Sequence, residues 1–367
     1  MIYFDNAATT IPIGYVNAFY NPSSPHFLGI KAERALRLAR SQLAKLLEMG
    51  GSQSFGLTPS TSNGDIIFTS GGTESNNLAI LGFVLANSRH VPTLVCAPYE
   101  HPSLVKPVCF ACQRSWSREA DEIPSSGKCL LVLSHVNHET GDIYDVNGIA
   151  SSIKQKNPEA LVLVDGAQGF SKEKSDLCNI DIYSFSGHKF HSPSGVGGLW
   201  VRKGVRILPL LHGGEQESAL RSGSENVSGI VQMTEVASQL FHNLEHNHAH
   251  AAKIKAIISS LTLELPDVTV NTTSKNISPY ILNMSFLGVK GEILVHALSE
   301  KKLYVSMGAA CRSRSAKKSA LELMRFSRGI YDSAIRFSFS HLNTIEEANV
   351  ALELIADQVR KLRKMKG

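Results

Sequence analysis

The stretches LVLVD, residues Leu161–Asp165, and IYSFSGHK, residues Ile182–Lys189, decide the fold class. Each is a short aliphatic and aromatic run that ends in polar residues, a pattern typical of a buried strand followed by a loop. Similar runs recur at residues 66–69, 94–97, 130–133 and 198–201. Helix-like segments lie between several of these runs, at residues 78–85 and 146–154. This alternation predicts an α/β fold with a mostly parallel sheet and helices on both faces.

The composition is that of a globular protein. Of its 367 residues, 43% are hydrophobic and 19% are charged, which excludes disorder, collagen and coiled coil. The formal charge of +5 is scattered along the chain, so no nucleic-acid partner is expected. The amino terminus has no basic start, and the longest apolar runs are strand-sized, so we expect no signal peptide and no membrane span. Six irregularly spaced cysteines favour a reducing, cytoplasmic setting.

The pattern changes in the last third of the chain. Residues 230–263 have the spacing of a long helix, and strand-like pieces, a short helix at 292–298 and a final helix at 345–362 follow Pro266. This change predicts a second, smaller α+β domain.

Two polar residues follow predicted strands and have complementary chemistry. Asp165 ends one strand at the carboxyl edge of the sheet, where open α/β sheets bind their ligands. Lys189 follows the next strand, where burial can lower the pKa of a lysine enough for it to form a Schiff base. An acid that pairs with a pyridinium nitrogen is the usual companion of such a lysine. Either residue taken alone would more simply be a solvated loop residue.

The segment TSGGTES, residues Thr69–Ser75, joins a predicted strand to a predicted helix. Its small residues let backbone N–H groups approach an anion, Thr73 supplies a hydroxyl, and the start of the helix adds partial positive charge. The segment therefore predicts a phosphate site, with Thr73 as a simple helix cap the alternative. It lacks both Gly-x-Gly-x-x-Gly and a Gly-Lys-Thr ending, which argues against a dinucleotide fold and a nucleoside triphosphatase.

Cys311 lies in the loop-like segment GAACRSRS, whereas most other cysteines lie in or beside apolar runs. The nearby Arg312 and Arg314 favour the thiolate, which is the nucleophilic form of cysteine. The alternative is a small loop thiol without a reaction.

Three histidines, His242, His246 and His250, recur at helical spacing. They are interpreted as a solvated helix face, and no metal site is predicted.

Ordered blocks over most of the chain resemble the fold-type I pyridoxal-phosphate (PLP) enzymes of the class V aminotransferase group, and among them the cysteine desulfurases. The blocks are YFDNAATT (3–10), NPSSPHFLG (21–29), FTSGGTESNN (68–77), EHPSL (100–104), SHVNHETG (134–141), VDGAQ (164–168), SFSGHKFHSPSGVGGLWV (184–201), HGGEQE (212–217), RSGSENV (221–227) and IRFSFS (335–340). The resemblance implies a large cofactor-binding domain over residues 15–245 with a mostly parallel, seven-stranded-type sheet. It also implies a small α+β domain, formed by residues 1–14 and 246–367, that carries the Cys311 loop.

The same resemblance implies a role for each matching residue. Lys189 would form the Schiff base with PLP, and Asp165 would pair with the ring nitrogen. His101 would stack on the ring and assist proton transfers. Other residues would contact the ring, the phosphate or the substrate, namely Gln168 at the phenolate oxygen, Asn137 beside the ring and the substrate, Gly72, Thr73, Ser186 and His188 at the phosphate, Ser224 at the phosphate of a neighbouring subunit, and Arg336 at the substrate carboxylate. The role of Ser224 requires a homodimer.

Each of these roles has a structural alternative. His101 alone would be a helix-cap or core histidine, and Thr73 and Ser186 could be helix caps. Asn137 and Gln168 could be buried amides that satisfy turn backbone. Arg336, in a strand-like run, would ordinarily pair with a carboxylate.

The resemblance implies a cytoplasmic enzyme that takes sulfur from L-cysteine, forms L-alanine and leaves a persulfide on Cys311. A sulfur-acceptor protein, such as one for iron-sulfur cluster assembly, would then receive the sulfur. The segment Gly308–Ala310 and the basic residues 312–318 depart from the family pattern around the loop. Three alternatives are a class V PLP aminotransferase, a selenocysteine lyase, and a non-catalytic PLP-fold partner in sulfur transfer. Chemistry that does not depend on Cys311 would favour the first two, and absence of turnover would favour the third.

Overall fold

The structure is a computed structural model that describes residues 1–10, 13, 20–48, 63–307 and 318–365. The chain divides into two compact units. The large unit comprises Ile11–His135 and Asp145–Asn243, and the small unit comprises Met1–Thr10, Val136–Tyr144 and Leu244–Gly367. The short segment Val136–Tyr144 belongs to the small unit, although it was expected in the large domain of residues 15–245.

The described strands are β1 (Ile2–Tyr3), β2 (Gly64–Thr69), β3 (Thr93–Cys96), β4 (Arg118–Glu119), β5 (Cys129–Ser134), β6 (Ala160–Asp165), β7 (Ile182–Ser186), β8 (Gly197–Arg202), β9 (Val268–Val270), β10 (Ile281–Phe286), β11 (Leu303–Tyr304) and β12 (Ala334–Ser338). The described helices are α1 (Phe27–Glu48), α2 (Gly72–Ala86), α3 (Pro102–Gln113), α4 (Val146–Lys156), α5 (Val227–His242), α6 (Leu244–Ser259), α7 (Leu261–Glu264), α8 (Gly291–Glu300), α9 (Ala320–Leu323), α10 (Arg328–Asp332) and α11 (Ile345–Lys364).

The large unit contains a seven-stranded sheet, counted over the residues that the structure describes, in the order β2-β8-β7-β6-β5-β3-β4. Strands β4, β3, β5, β6 and β7 are all parallel to one another. Strand β8 is antiparallel to β7 on one side and to β2 on the other. The predicted mostly parallel sheet is confirmed. Because parallel strands end at the same edge, the polar residues that follow β5, β6 and β7 are brought together.

Helices cover both faces of this sheet. Successive residues of a strand point to opposite faces. Along β5, Leu130 and Val132 pack in a cluster that includes apolar side chains of α2 and α3. The alternate residues Cys129 and Leu131 pack with Ile153 of α4. Burial on both faces explains why these strands are nearly continuous apolar runs.

The predicted long helix over residues 230–263 is wrong in its continuity, because the segment forms α5, α6 and α7. Asn243 separates α5 from α6 with non-helical backbone angles. Its Nδ2 donates to the carbonyl of Gln239 at 3.0 Å, so the side chain competes with helical hydrogen bonding. The break coincides with the end of the large unit.

In the small unit, β10 lies between β9 and β12 and is antiparallel to both. Phe286, Phe337 and Ile355 belong to its buried core. The final helix α11 begins with a capping box in which Thr344 and Glu347 each accept a backbone N–H of the other. Helices α8 and α11 confirm the two helices predicted for this region.

No helix within the described ranges is both long and apolar enough to cross a membrane.

An ion pair with a buried carboxylate ties α1 to the first strand of the large sheet. Arg40 binds the carboxylate of Glu217 with two hydrogen bonds, of 2.6 and 2.7 Å. The same carboxylate accepts the backbone N–H of Phe68 at 2.8 Å, and the Glu217 side chain is 1% exposed. Removing one partner of such a pair leaves an uncompensated charge in the protein.

We expect Glu217→Ala to lower the free energy of unfolding of the large unit by about 1–3 kcal/mol, because the buried N–H of Phe68 loses its acceptor while the partly exposed Arg40 can be hydrated. Urea unfolding checks this value, with Glu33→Ala as the control. Glu33 and Arg37 form an exposed pair at 3.9 Å on the same helix, and its loss should cost less than about 1 kcal/mol. Equal effects of the two substitutions would contradict a structural role for the Arg40–Glu217 pair.

Candidate active site

The polar residues at the carboxyl ends of three parallel strands lie side by side. The strand register pairs Ser134 of β5 with Asp165 of β6, and Asp165 with Ser184 of β7. All three residues are buried. The sheet therefore gathers acceptors and hydroxyls at one edge, as predicted for a ligand site.

Both oxygens of the Asp165 carboxylate have donors within the large unit. Oδ1 accepts the backbone N–H of Ala167 at 2.8 Å, and Oδ2 accepts Nδ2 of Asn76 at 2.8 Å. Asp165 is 6% exposed. The two donors fix the orientation of the carboxylate at the strand end.

Asn76 of α2 is a residue that sequence reasoning missed. Its Nδ2 also lies 2.9 Å from Oγ of Ser103, and its Oδ1 accepts the hydroxyl of Ser184 at 2.6 Å. One signal was available, because Asn76 is a polar residue just before the apolar run LAILGF of a helix. A polar residue on the buried side of such a helix needs partners, and here they include Asp165.

His101 is the N-cap of α3. Its Nδ1 accepts the backbone N–H of Ser103 at 3.2 Å and lies 2.8 Å from Oγ of the same serine. The helix-cap alternative for His101 is therefore observed. This cap uses Nδ1 and is compatible with chemistry at Nε2.

The predicted phosphate segment begins α2 at Gly72, and its N-cap is Gly71. Gly71 has a φ of 149°, which favours glycine, and Gly71 makes no side-chain cap. A Cβ on Gly72 would lie 3.4 Å from Cβ of Ser186, so the loop and the end of β7 are close. Neither Thr73 nor Ser186 acts as a side-chain cap.

The hydroxyl of Ser186 shows whether a phosphate group fits at the start of α2. Its Oγ is buried and has no hydrogen-bond partner within the described part of the chain. A buried hydroxyl normally has a partner, and this one faces the glycines at the start of a helix. Such a helix start attracts anions, so these residues fit a phosphate group.

Lys189 closes the short 3₁₀ turn Gly187–Lys189 that follows β7. Burial, together with the positive charges of Lys189 and Lys172, lowers the pKa of His188 to about 4. His188 is therefore neutral at physiological pH. Lys172, which is buried and which sequence reasoning missed, donates to Oε1 of Gln168 at 3.3 Å.

Two predicted site residues lie in the small unit. Arg336 donates to the carbonyl of His138 at 2.8 Å and to Oδ1 of Asp5 at 3.2 Å, so its alternative pairing with a carboxylate is observed. Oδ1 of Asn137 accepts the N–H groups of Glu139 and Thr140, as the turn alternative predicts. Within the described residues, Nε of Arg336 and Nδ2 of Asn137 are buried without a hydrogen-bond partner. Each side chain thus has a donor nitrogen that is open to a ligand within the described part of the chain.

The remaining predicted residues are placed as follows. Ser224 is exposed in the loop before α5. Cys311 lies outside the described residues, as do the neighbouring Arg312 and Arg314.

Glu100, next to His101 in the chain, is a buried carboxyl group that the sequence analysis gave no role. It accepts the backbone N–H of Ser134 at 3.2 Å and contacts the hydroxyl of the same serine. The pKa of Glu100 is raised from 4.5 to about 7, because burial and the charge of Asp165 raise it by more than the hydrogen bonds from Ser134 lower it. The folded protein therefore favours the protonated form of Glu100.

Comparisons with known proteins identify the family of the chain. The family model described as aminotransferase class-V matches residues 2–350. A NifS/IcsS protein homolog of Lactobacillus delbrueckii subsp. bulgaricus is 34% identical, covering 95% of this chain and 94% of its own length. A cysteine desulfurase of a Nostoc species is 31% identical over 99% of this chain and 94% of its own. A solved NifS-like protein superposes with a TM-score of 0.86 at 30% identity, covering 98% of this chain and 99% of its own.

The chain therefore belongs to the class-V aminotransferase family. The predicted family and fold class are confirmed. Membership of this family implies PLP as the cofactor.

The raised pKa of Glu100 predicts a dependence of stability on pH. A carboxyl group whose pKa is higher in the folded state stabilises the protein fully below its unfolded pKa, and this contribution is lost as the pH rises through the folded pKa. Because the pKa of Glu100 rises to about 7 in the folded protein, we expect the free energy of unfolding to fall by about 3 kcal/mol between pH 4.5 and 7 on account of this group.

Glu100→Gln should remove this part of the pH dependence, because glutamine does not titrate and can keep both contacts with Ser134. Urea unfolding of the parent and the variant at several pH values between 4.5 and 7.5 measures the difference. Parallel pH profiles would show that Glu100 does not titrate in this range.

Proposed function

We propose that the protein is a PLP-dependent cysteine desulfurase that converts L-cysteine to L-alanine and passes the sulfur on through Cys311. The observation that carries this proposal is the buried carboxylate of Asp165 at the same sheet edge as Lys189, beside a hydroxyl and glycines that fit a phosphate. Relatives named cysteine desulfurase, about 31% identical over nearly the whole chain, support the choice of reaction.

The residues at the edge of the large sheet would hold PLP. Asp165 would pair with its ring nitrogen, and Lys189 would bind its aldehyde carbon. The phosphate would lie against Gly72, Thr73, Ser186 and His188, with Ser224 of the partner subunit. His101, Gln168 and Asn137 would border the ring. When bound, PLP supplies an electron sink for the negative charge that develops at Cα of an amino acid.

This chain's own groups would bind the substrate and move its protons. The guanidinium of Arg336 would bind the α-carboxylate of L-cysteine through the Nε donor that lacks a partner among the described residues. The amine of Lys189 would remove the α-proton. Because His188 is neutral, it can serve the phosphate as a hydrogen-bond donor without adding charge beside Lys189.

The thiolate of Cys311 would attack the sulfur of the substrate. The S–C bond of the substrate breaks, a new S–S bond forms on Cys311, and the carbon skeleton is released as L-alanine after protonation. His101 would carry protons to and from the thiol of Cys311 or the thiol of the substrate. A thiolate of an acceptor protein then takes the outer sulfur of the persulfide.

The assembly that we propose is a homodimer, since the role of Ser224 requires a second subunit. We place the enzyme in the cytoplasm, where thiols remain reduced. The acceptor would be a sulfur-carrying protein, such as one for iron-sulfur cluster assembly. The basic residues 312–318 favour an acidic acceptor surface.

The formation of L-alanine from L-cysteine, with a reductant present, tests the function. The parent should form alanine at each turnover, and Cys311→Ala should form none while keeping the absorbance of bound PLP. Cys178→Ala, at an exposed cysteine of the large unit, is the matched control and should retain the rate of the parent. Alanine formation by Cys311→Ala at the parent's rate would rule out the persulfide route.

We expect Arg336→Lys to raise KM for L-cysteine by roughly 10–100-fold with a smaller change in kcat, because charge-assisted hydrogen bonds contribute about 1.5–3 kcal/mol. Steady-state kinetics measures both constants. Arg328→Lys, in an exposed pair with Asp332, is the control. An unchanged KM in Arg336→Lys would place the carboxylate elsewhere.

A further inference from the structure

A continuous line of hydrogen bonds, buried except at the half-buried His101, joins His101 to Asp165 within the large unit. Nδ1 of His101 lies 2.8 Å from Oγ of Ser103. Oγ of Ser103 lies 2.9 Å from Nδ2 of Asn76, and the same Nδ2 lies 2.8 Å from Oδ2 of Asp165. Asn76 is fully buried and Ser103 is 8% exposed. The line therefore runs through the protein interior from one predicted site residue to the other.

The charge of Asp165 sets the direction of the first bonds in this line. An ionised carboxylate can only accept hydrogen bonds, so the Asn76 group that faces it is the NH₂ group. Oδ1 of Asn76 then faces Ser184, whose hydroxyl donates to it at 2.6 Å. Both hydrogens of the amide and its oxygen are thereby engaged, which fixes the amide in one orientation.

The direction continues to the histidine. Because Nδ2 of Asn76 donates its second hydrogen to Ser103, the serine oxygen accepts, and the serine's own hydrogen is left for Nδ1 of His101. The backbone N–H of Ser103 also donates to Nδ1, at 3.2 Å. The hydrogen-bond pattern thus assigns Nδ1 as an acceptor and places the hydrogen of the neutral ring on Nε2.

We propose that Asn76 is a positioning residue that couples Asp165 to His101, with the hydroxyl of Ser103 as the link. It holds one oxygen of the carboxylate and, through Ser103, directs a hydrogen bond to Nδ1 of His101. The proposal rests on the proposed function for the roles of the two residues it joins, and the hydrogen-bond line itself does not depend on the reaction.

A purely structural role for Asn76 predicts a different set of effects. An amide that only satisfies a buried polar position would lower stability when replaced and would leave the ring of His101 unchanged. The coupling predicts that substitutions at residue 76 change the hydrogen bonding of the His101 ring, which is two hydrogen bonds away. The ring nitrogens of His101 are therefore the direct readout.

The experiment is NMR of the full-length protein, as purified, with isotope-labelled histidine side chains. His101→Gln identifies the His101 signals by their absence. In the parent, Nε2 should carry the hydrogen and Nδ1 should show a hydrogen-bonded acceptor. Asn76→Leu and Ser103→Ala should both move the Nδ1 signal towards that of an imidazole nitrogen with a weaker donor, and Ser103→Thr, which keeps the hydroxyl, should retain the parent signal.

Asn87→Leu is the matched control, because Asn87 follows the other end of α2 and donates to the carbonyl of Phe83. It should leave the His101 signals unchanged. A parent ring with its hydrogen on Nδ1 would overturn the proposal. So would a His101 signal that Asn76→Leu leaves in its parent position.

A second readout uses the rate of L-alanine formation in a double-mutant cycle. Asn76→Leu and Ser103→Ala should each lower kcat by about tenfold, the effect of one hydrogen bond. Because the line acts as a unit, the double variant should be no slower than the slower single variant. Losses that multiply would overturn the coupling.

The two readouts separate the failure of this inference from the failure of the proposed function. An inactive parent whose His101 signals respond as expected would contradict the function and support the coupling. An active parent whose His101 signals do not respond would contradict the coupling alone.

Discussion

The carboxylate of Asp165 is a charge at the end of a buried strand, and the rest of the site depends on how the protein accommodates it. An unpaired buried charge is costly, so donors must come from neighbouring elements. The backbone of Ala167 and the side chain of Asn76 supply them. Since Asn76 belongs to α2, the helix that begins at the phosphate segment is tied to the same point as the strand edge.

Much of the large unit could be predicted because its strands are buried on both faces. Runs such as Leu161–Val164 must be apolar to lie between two layers of helices, so periodicity reveals them directly. The break at Asn243 could not be predicted, since the apolar spacing continues across it and an asparagine side chain decides locally between helix and turn. The segment Val136–Tyr144 joins the small unit through contacts between residues far apart in the chain, which no local pattern records.

Site residues could be predicted from the sequence only where their residue type, at that position, has few chemical roles. Lysine and aspartate after strands, or glycines before a helix, carry that signal, although their roles remain predictions. Residue type does not indicate a role for Asn76, Ser103 or Glu100. The role of a buried amide, hydroxyl or carboxyl group depends on the partner that the fold brings to it. The pairing of Arg336 with Asp5 likewise joins residues from opposite ends of the chain, and the sequence predicted only an unspecified carboxylate as an alternative partner.

The whole assignment of the site depends on Lys189, which follows β7 at the sheet edge where β6 ends in Asp165, as the residue that binds the cofactor. Reduction of the PLP-loaded protein with borohydride fixes a Schiff base as a stable amine, and peptide mass spectrometry then locates the modified lysine. Lys172, which is buried and whose charge acts on His188 as that of Lys189 does, is the natural competitor. The account predicts a pyridoxyl group on Lys189 alone. A label on Lys172, or no label in a protein that retains its colour, would contradict it.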